Sequence, residues 1–167
     1  MTDRTTQDED RDAQSDVETD HGRTGRVVVG ADVSALGSAA LLWAMRRARR
    51  GDGHVMVLDS RPHDDTSDAD ASEAADAARK GQRWEVQAWA SEVLMGVGTR
   101  VPVLVSTTEG RLELALAGAG SRADLVVFGG EEDGSGPLDP AVLLRFCPCP
   151  VVRVDRHQQA TWLGATR

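Results

Sequence analysis

Five short valine-rich runs recur along this chain, and none alternates apolar with polar residues. They lie at 27–31 (Val27-Val28-Val29-Gly30-Ala31), 54–58, 101–105, 124–128 and 151–154. A strand with one face in water alternates, whereas a strand covered on both faces does not. Between the runs, apolar residues return at helical spacing. Leu41, Leu42, Met45 and Ala48 form such a stripe, as do Val86, Trp89, Ala90, Val93 and Val97, and then Leu112, Leu116 and Ala119. A fourth, short helix is predicted over 139–146, with Asp139 as N-cap and Pro140 as its first residue. Strands separated by helices pair in parallel through right-handed crossovers. The expectation is an α/β fold: one doubly wound, five-stranded parallel sheet with helices on both faces, Rossmann-like in plan. Pro102 predicts an edge position for the third strand.

The ends differ from the middle. Residues 1–24 hold eight acids and three arginines, with Met1, Ala13 and Val17 as their apolar residues. Such a segment buries too little surface to offset its ordering entropy, so it reads as a disordered acidic tail. The domain proper spans 25–155, and 156–167 is a C-terminal tail without a period. Net charge is −8, from 27 acidic and 19 basic residues. That balance argues against nucleic acid, which needs a concentrated basic face. No run approaches the roughly 20 apolar residues of a membrane span. An acidic, polar N-terminus is neither a signal peptide nor a transit peptide, which makes the cytoplasm the expected location.

Ligands of doubly wound sheets bind beyond the C-terminal ends of the strands, where the strand order reverses. Two segments suit that place: Gly30-Ala31-Asp32-Val33-Ser34 after the first strand, and Gly129-Gly130-Glu131-Glu132-Asp133-Gly134 after the fourth. They face one another if strands one and four are neighbours. Asp32 has two readings, a ligand contact or a helix cap. Gly129 and Gly130 either admit a ligand to the backbone or make a turn. Other chemistry is thin. His21, His54, His63 and His157 form no ligand pattern, and no metal site is expected. Ser34 has no histidine near it in sequence, so a nucleophilic enzyme is not supported and no catalytic residue is assigned. Cys147 and Cys149 are separated by Pro148, an awkward geometry for a disulfide, so both read as packing residues. Trp84 and Trp89 are expected to pack the long helix. Trp162 docks on its own domain, docks on an unknown protein partner, or belongs to a disordered tail.

At these residues the chain resembles the universal stress protein family. Val28-Val29-Gly30-Ala31-Asp32-Val33-Ser34 is similar to the family's V-G-x-D-x-S opening. Ala123-Asp124-Leu125-Val126-Val127-Phe128-Gly129 resembles its A-D-L-I-V-M-G segment, and Pro148-Cys149-Pro150-Val151-Val152 its P-C-P-V-L strand. Gly110 stands where the family has a glycine opening the third helix. The resemblance covers about 26–154. It implies an adenine-nucleotide-alpha-hydrolase-like fold and a regulatory or binding role in stress response, without catalysis.

Many members of the family bind ATP or a related adenine nucleotide, whose phosphates a Mg²⁺ ion would here bridge to the acids of the loop. For such a ligand the resemblance implies contacts from Asp32, from the Val57 backbone and from Gly129 and Gly130. It also implies a homodimer through the last strand, with Val151, Val152 and Val154 in the contact. One motif departs. The binding branch carries Gly-x2-Gly-x9-Gly-Ser/Thr after strand four; here Glu132 takes the second glycine position and Pro137-Leu138 the Gly-Ser/Thr pair. The loop is about five residues short. Glu131, Glu132 and Asp133 lie where a triphosphate would go, and like charges at close range repel by about 1 kcal/mol per pair even in water. A chain that does not bind ATP is the expectation, with an ATP-binding universal stress protein as the alternative.

Overall fold

The computed structural model describes residues 25–61, 71–98 and 100–164. The acidic tail and most of the polar loop before the long helix lie outside the described residues. The elements follow in the order β1 (Arg26–Gly30), α1 (Ala35–Arg50), β2 (His54–Arg61), α2 (Ala71–Val97), β3 (Val103–Glu109), α3 (Leu112–Gly120), β4 (Leu125–Gly129), α4 (Pro140–Phe146), β5 (Val151–Val154) and β6 (Ala160–Gly164). The sheet order is β3-β2-β1-β4-β5-β6, and β1 to β5 are parallel. β1 therefore pairs with β2 on one side and β4 on the other, and the chain's direction of travel reverses there.

Strand residues alternate between two apolar layers, which is why the runs show no polar alternation. Val27 and Val29 pack with Leu41, Met45, Val86 and Trp89 under α1 and α2. Val28 packs on the other face with Leu116, Phe128 and Leu143 under α3 and α4. Val28 and Val29 have no exposed surface, and burying each contributes about 1.5–3 kcal/mol. Ser34 caps α1 by accepting the Gly37 N–H at 3.2 Å. Arg47, Arg49 and Arg50 crowd its last turn, where cations suit the helix dipole. Gly81 does not break α2, which runs unbroken through it. The Trp89 indole donates to Ser38 Oγ at 2.9 Å, joining α2 to α1. Trp84 is 72% exposed, contrary to the packing expected of it.

Three strands differ from their expected extents. β2 continues past Leu58, and Asp59, Ser60 and Arg61 pair with Thr107, Thr108 and Glu109 of an equally extended β3. β3 is the sheet edge that Pro102 predicts, but it starts one residue after that proline, whose carbonyl accepts the Val55 N–H. The third difference is β6, a sixth strand from the expected tail. It runs antiparallel to β5, with Val152 opposite Trp162 and Val154 opposite Ala160. The Asp155 carboxylate makes the turn, accepting the N–H groups of His157 and Gln159 at 2.8 Å each, while Gln158 takes a left-handed φ of 63°. Trp162 packs edge-on against Trp43 at 6.5 Å. β5 is thus an interior strand. Val151, Val152 and Val154, the expected dimer contact, are buried within one chain, and β6 lies along the edge beside them.

Candidate functional site

A crevice of about 620 Å³ opens at the C-terminal ends of β1 and β2, against α2. Its polar lining is Asp32, Asp59, Ser60, Gln82 and Glu85, and Gly81 of α2 forms part of its wall. Asp59 is placed there by the extension of β2. It is 5% exposed, and Gln82 Nε2 donates to both of its carboxylate oxygens at 3.2 Å. Burial pushes the Asp59 carboxyl above the usual carboxylate range, against the opposing pull of Gln82 and Arg61. Asp32 accepts a hydrogen bond from Ser34 Oγ. Ser34 is the helix cap, so the capping role passes to it and Asp32 stands at the crevice. Among the described residues, three carboxyl side chains and no lysine or arginine line this space. Those carboxyls disfavour phosphate and suit groups rich in N–H or O–H donors.

Gly81 gives this wall a direct test. A Cβ at this position would meet nothing within 4 Å, and α2 is regular there. Gly81→Ala is therefore expected to stabilise the protein by about 0.5–1 kcal/mol, since alanine is the better helix former. Thermal melting reads this as a rise of about 1–4 °C. An unchanged or lower melting temperature would show that the helix is strained at Gly81.

The second expected segment is folded against itself. A Cβ at Gly129 would lie 2.6 Å from both the carbonyl carbon and the oxygen of Leu36, so this glycine admits the first turn of α1. The N–H of Gly130 donates to Val154, that of Glu131 to Ser135, and that of Gly134 back to Glu131. The Ser135 N–H donates to Asp133 at 2.8 Å, and hydrogen bonds from Ser135 hold the Asp133 carboxyl below its usual range. Arg156 Nε pairs with Glu131 at 2.6 Å. At the start of α4, Ala141 donates to the Asp139 carboxylate at 2.9 Å, Asp139 donates to Glu113 at 3.1 Å, and Pro140 has no N–H. Each of these donors is taken by one of the chain's own oxygens.

Of the expected site residues, Asp32 lines the crevice and Val57, Gly129 and Gly130 do not. Val57 is fully buried between Val29 of β1 and Val105 of β3. Asp59, Gln82 and Glu85 were not singled out by sequence. Neither was Glu113, a 9%-exposed residue of α3 that anchors the start of α4. Burial raises the Glu113 carboxyl, but the N–H of Asp139, its own N–H and Arg111 outweigh that and hold it below the usual range. Among the described residues no three His, Cys, Asp or Glu side chains group as a metal site.

No family model and no curated protein matches the chain. Solved structures do. A universal stress protein in complex with cAMP superposes with a TM-score of 0.59 at 18% identity, covering 78% of this chain and 96% of that one. The fold is that of the universal stress proteins. A universal stress protein family member from Burkholderia pseudomallei gives 0.57 at 24% identity, with 78% and 96% covered. One from Arabidopsis thaliana with AMP bound gives 0.56 at 15% identity, with 78% and 91% covered. At such identities the likeness is one of fold, and ligand contacts have to be argued from this chain's own residues. No described helix is long and apolar enough to cross a membrane.

Proposed function

We propose that this chain is a regulatory or binding module of the universal stress protein kind, working in the cytoplasm without catalysis and without binding ATP. The observation that supports this reading most is the loop after β4. The first turn of α1 packs against its Gly129, the N–H groups of Gly130, Glu131, Gly134 and Ser135 are bonded internally, and three successive carboxylates stand in the loop. An anion arriving there finds those four donors engaged and meets Glu131, Glu132 and Asp133.

Asp32 favours a second reading, an adenine-nucleotide binder. It lines the crevice at the point where strand order reverses, and two proteins of this fold are bound to cAMP and AMP. Titration calorimetry with Mg-ATP, AMP and cAMP separates the two. The expected result is no binding of Mg-ATP tighter than about 10 μM, roughly −7 kcal/mol. Tighter binding that Asp32→Ala weakens would overturn the first reading and establish the second.

A further inference from the structure

Cys147 and Cys149 lie at the end of the sheet opposite the crevice. Cys147 is the C-cap residue of α4, and Cys149 leads through Pro150 into β5. Both belong to the apolar layer under α3 and α4, at 1% and 7% exposure. The chain folds their side chains onto one another: Sγ to Sγ is 3.6 Å. The awkwardness expected from Pro148 is absent, because the segment bends and turns both sulfurs to the same side. Gly120 of α3 makes room for them, since a Cβ there would sit 2.7 Å from the Cys147 sulfur and 3.2 Å from that of Cys149.

We propose that Cys147 and Cys149 are an oxidisable dithiol, closed by a peroxide to an intramolecular disulfide and reopened by a thiol. The sulfurs have to approach by about 1.5 Å to reach the roughly 2.05 Å of a disulfide bond. Both ends of that movement lie in the short link between α4 and β5. The Cys147 thiol is pushed down to about 7, chiefly by its hydrogen bond with Cys149, which favours it as the attacking sulfur. Its thiolate attacks one peroxide oxygen. The O–O bond breaks, the departing hydroxide takes up a proton to become water, and Cys147 becomes a sulfenic acid. The Cys149 sulfur then attacks the Cys147 sulfur. Hydroxide leaves, takes the Cys149 proton as a second water, and the S–S bond is formed. The two thiols lose two electrons and the peroxide gains them. The ring closes over three residues, which adds little chain constraint to the unfolded state and leaves the bond open to reduction.

The test uses the full chain at pH 7, treated with hydrogen peroxide and then denatured for intact-mass measurement and maleimide labelling. Loss of two hydrogens per monomer, with loss of both labelling sites and their recovery under dithiothreitol, is expected. Two thiols that still label after excess peroxide would overturn the proposal. So would direct conversion to sulfinic acids, or a bond formed only between chains. In Cys149→Ser the reaction is expected to stop at a sulfenic acid that dimedone captures. Cys147→Ser is expected to consume peroxide on the order of ten-fold more slowly, because the attacking sulfur is gone. An undiminished rate would remove Cys147 as the attacking sulfur and overturn the mechanism. Binding at the crevice is independent of this chemistry, so neither result decides the other.

Discussion

Replacing Gly37 with alanine is expected to destabilise the protein by about 3 kcal/mol or more, although helix propensity alone favours alanine by about 1 kcal/mol. Gly37 lies in the first turn of α1, directly over the loop that carries Asp32. A Cβ there would sit 1.8 Å from the Asp32 carbonyl oxygen and 2.7 Å from its carbonyl carbon. Backbone atoms cannot rotate aside as the tip of a side chain can. Either α1 lifts off the loop or the loop moves, and each shift pulls on the Ser34 cap and on the contact between Leu36 and Gly129. Thermal melting should fall by about 6–12 °C for a domain of this size. A melting temperature within about 1 °C of the parent would show that the close approach of α1 to Asp32 is relaxed in solution. Gly37→Ala and Gly81→Ala make a matched pair. Both place a methyl group in a helix, and the surroundings alone give them opposite signs.

The order of strands and helices was legible because each element carries a period that nothing else in the chain imitates. Val27 to Val29 have to alternate between two apolar layers, and a run without polar residues is the direct mark of that constraint. Asp139 and Pro140 announced the start of α4 for the same local reason. What stayed hidden depends on neighbours distant in sequence. Asp59 follows an apolar run and reads as loop; it is strand because Thr107 of β3 lies beside it, and it is buried because Gln82 of α2 covers it. Ser106, Thr107 and Thr108 read as loop because they are polar, yet they continue the edge strand that carries β2 forward. Gly129 was legible as a glycine that something approaches closely. That Leu36 of the same chain approaches it depends on where α1 settles on β4. Cys147 and Cys149 show the converse, since a sequence separation that looked unfavourable became a sulfur contact once the bend at Pro148 was set.

A chain ending at Gln159 is expected to lose about 2–4 kcal/mol and to associate with itself at least ten-fold more tightly than the full chain. β6 has weak sequence credentials: Trp162 and Leu163 are its large apolar residues, and Trp162 remains 55% exposed. Its contribution comes from what it covers. Four residue pairs join it to β5, each worth about 0.2–1 kcal/mol, and the edge-on contact of Trp162 with Trp43 adds about 0.5–1.5 kcal/mol. Melting should fall on the order of 10 °C. Without β6, Val151 to Val154 present unpaired N–H and C=O groups beside a valine-rich face, a surface that pairs readily with another strand. Two copies meeting there across a two-fold axis would rebuild the antiparallel ladder that β6 makes within one chain. Light scattering after size exclusion, run on both chains at about 50 μM with circular dichroism to verify folding, reads the result. Equal association of the two chains would place any contact away from this end of the sheet. A full chain that dimerises while the shortened chain stays monomeric would make β6 itself the contact, and the covering role argued for it would fall.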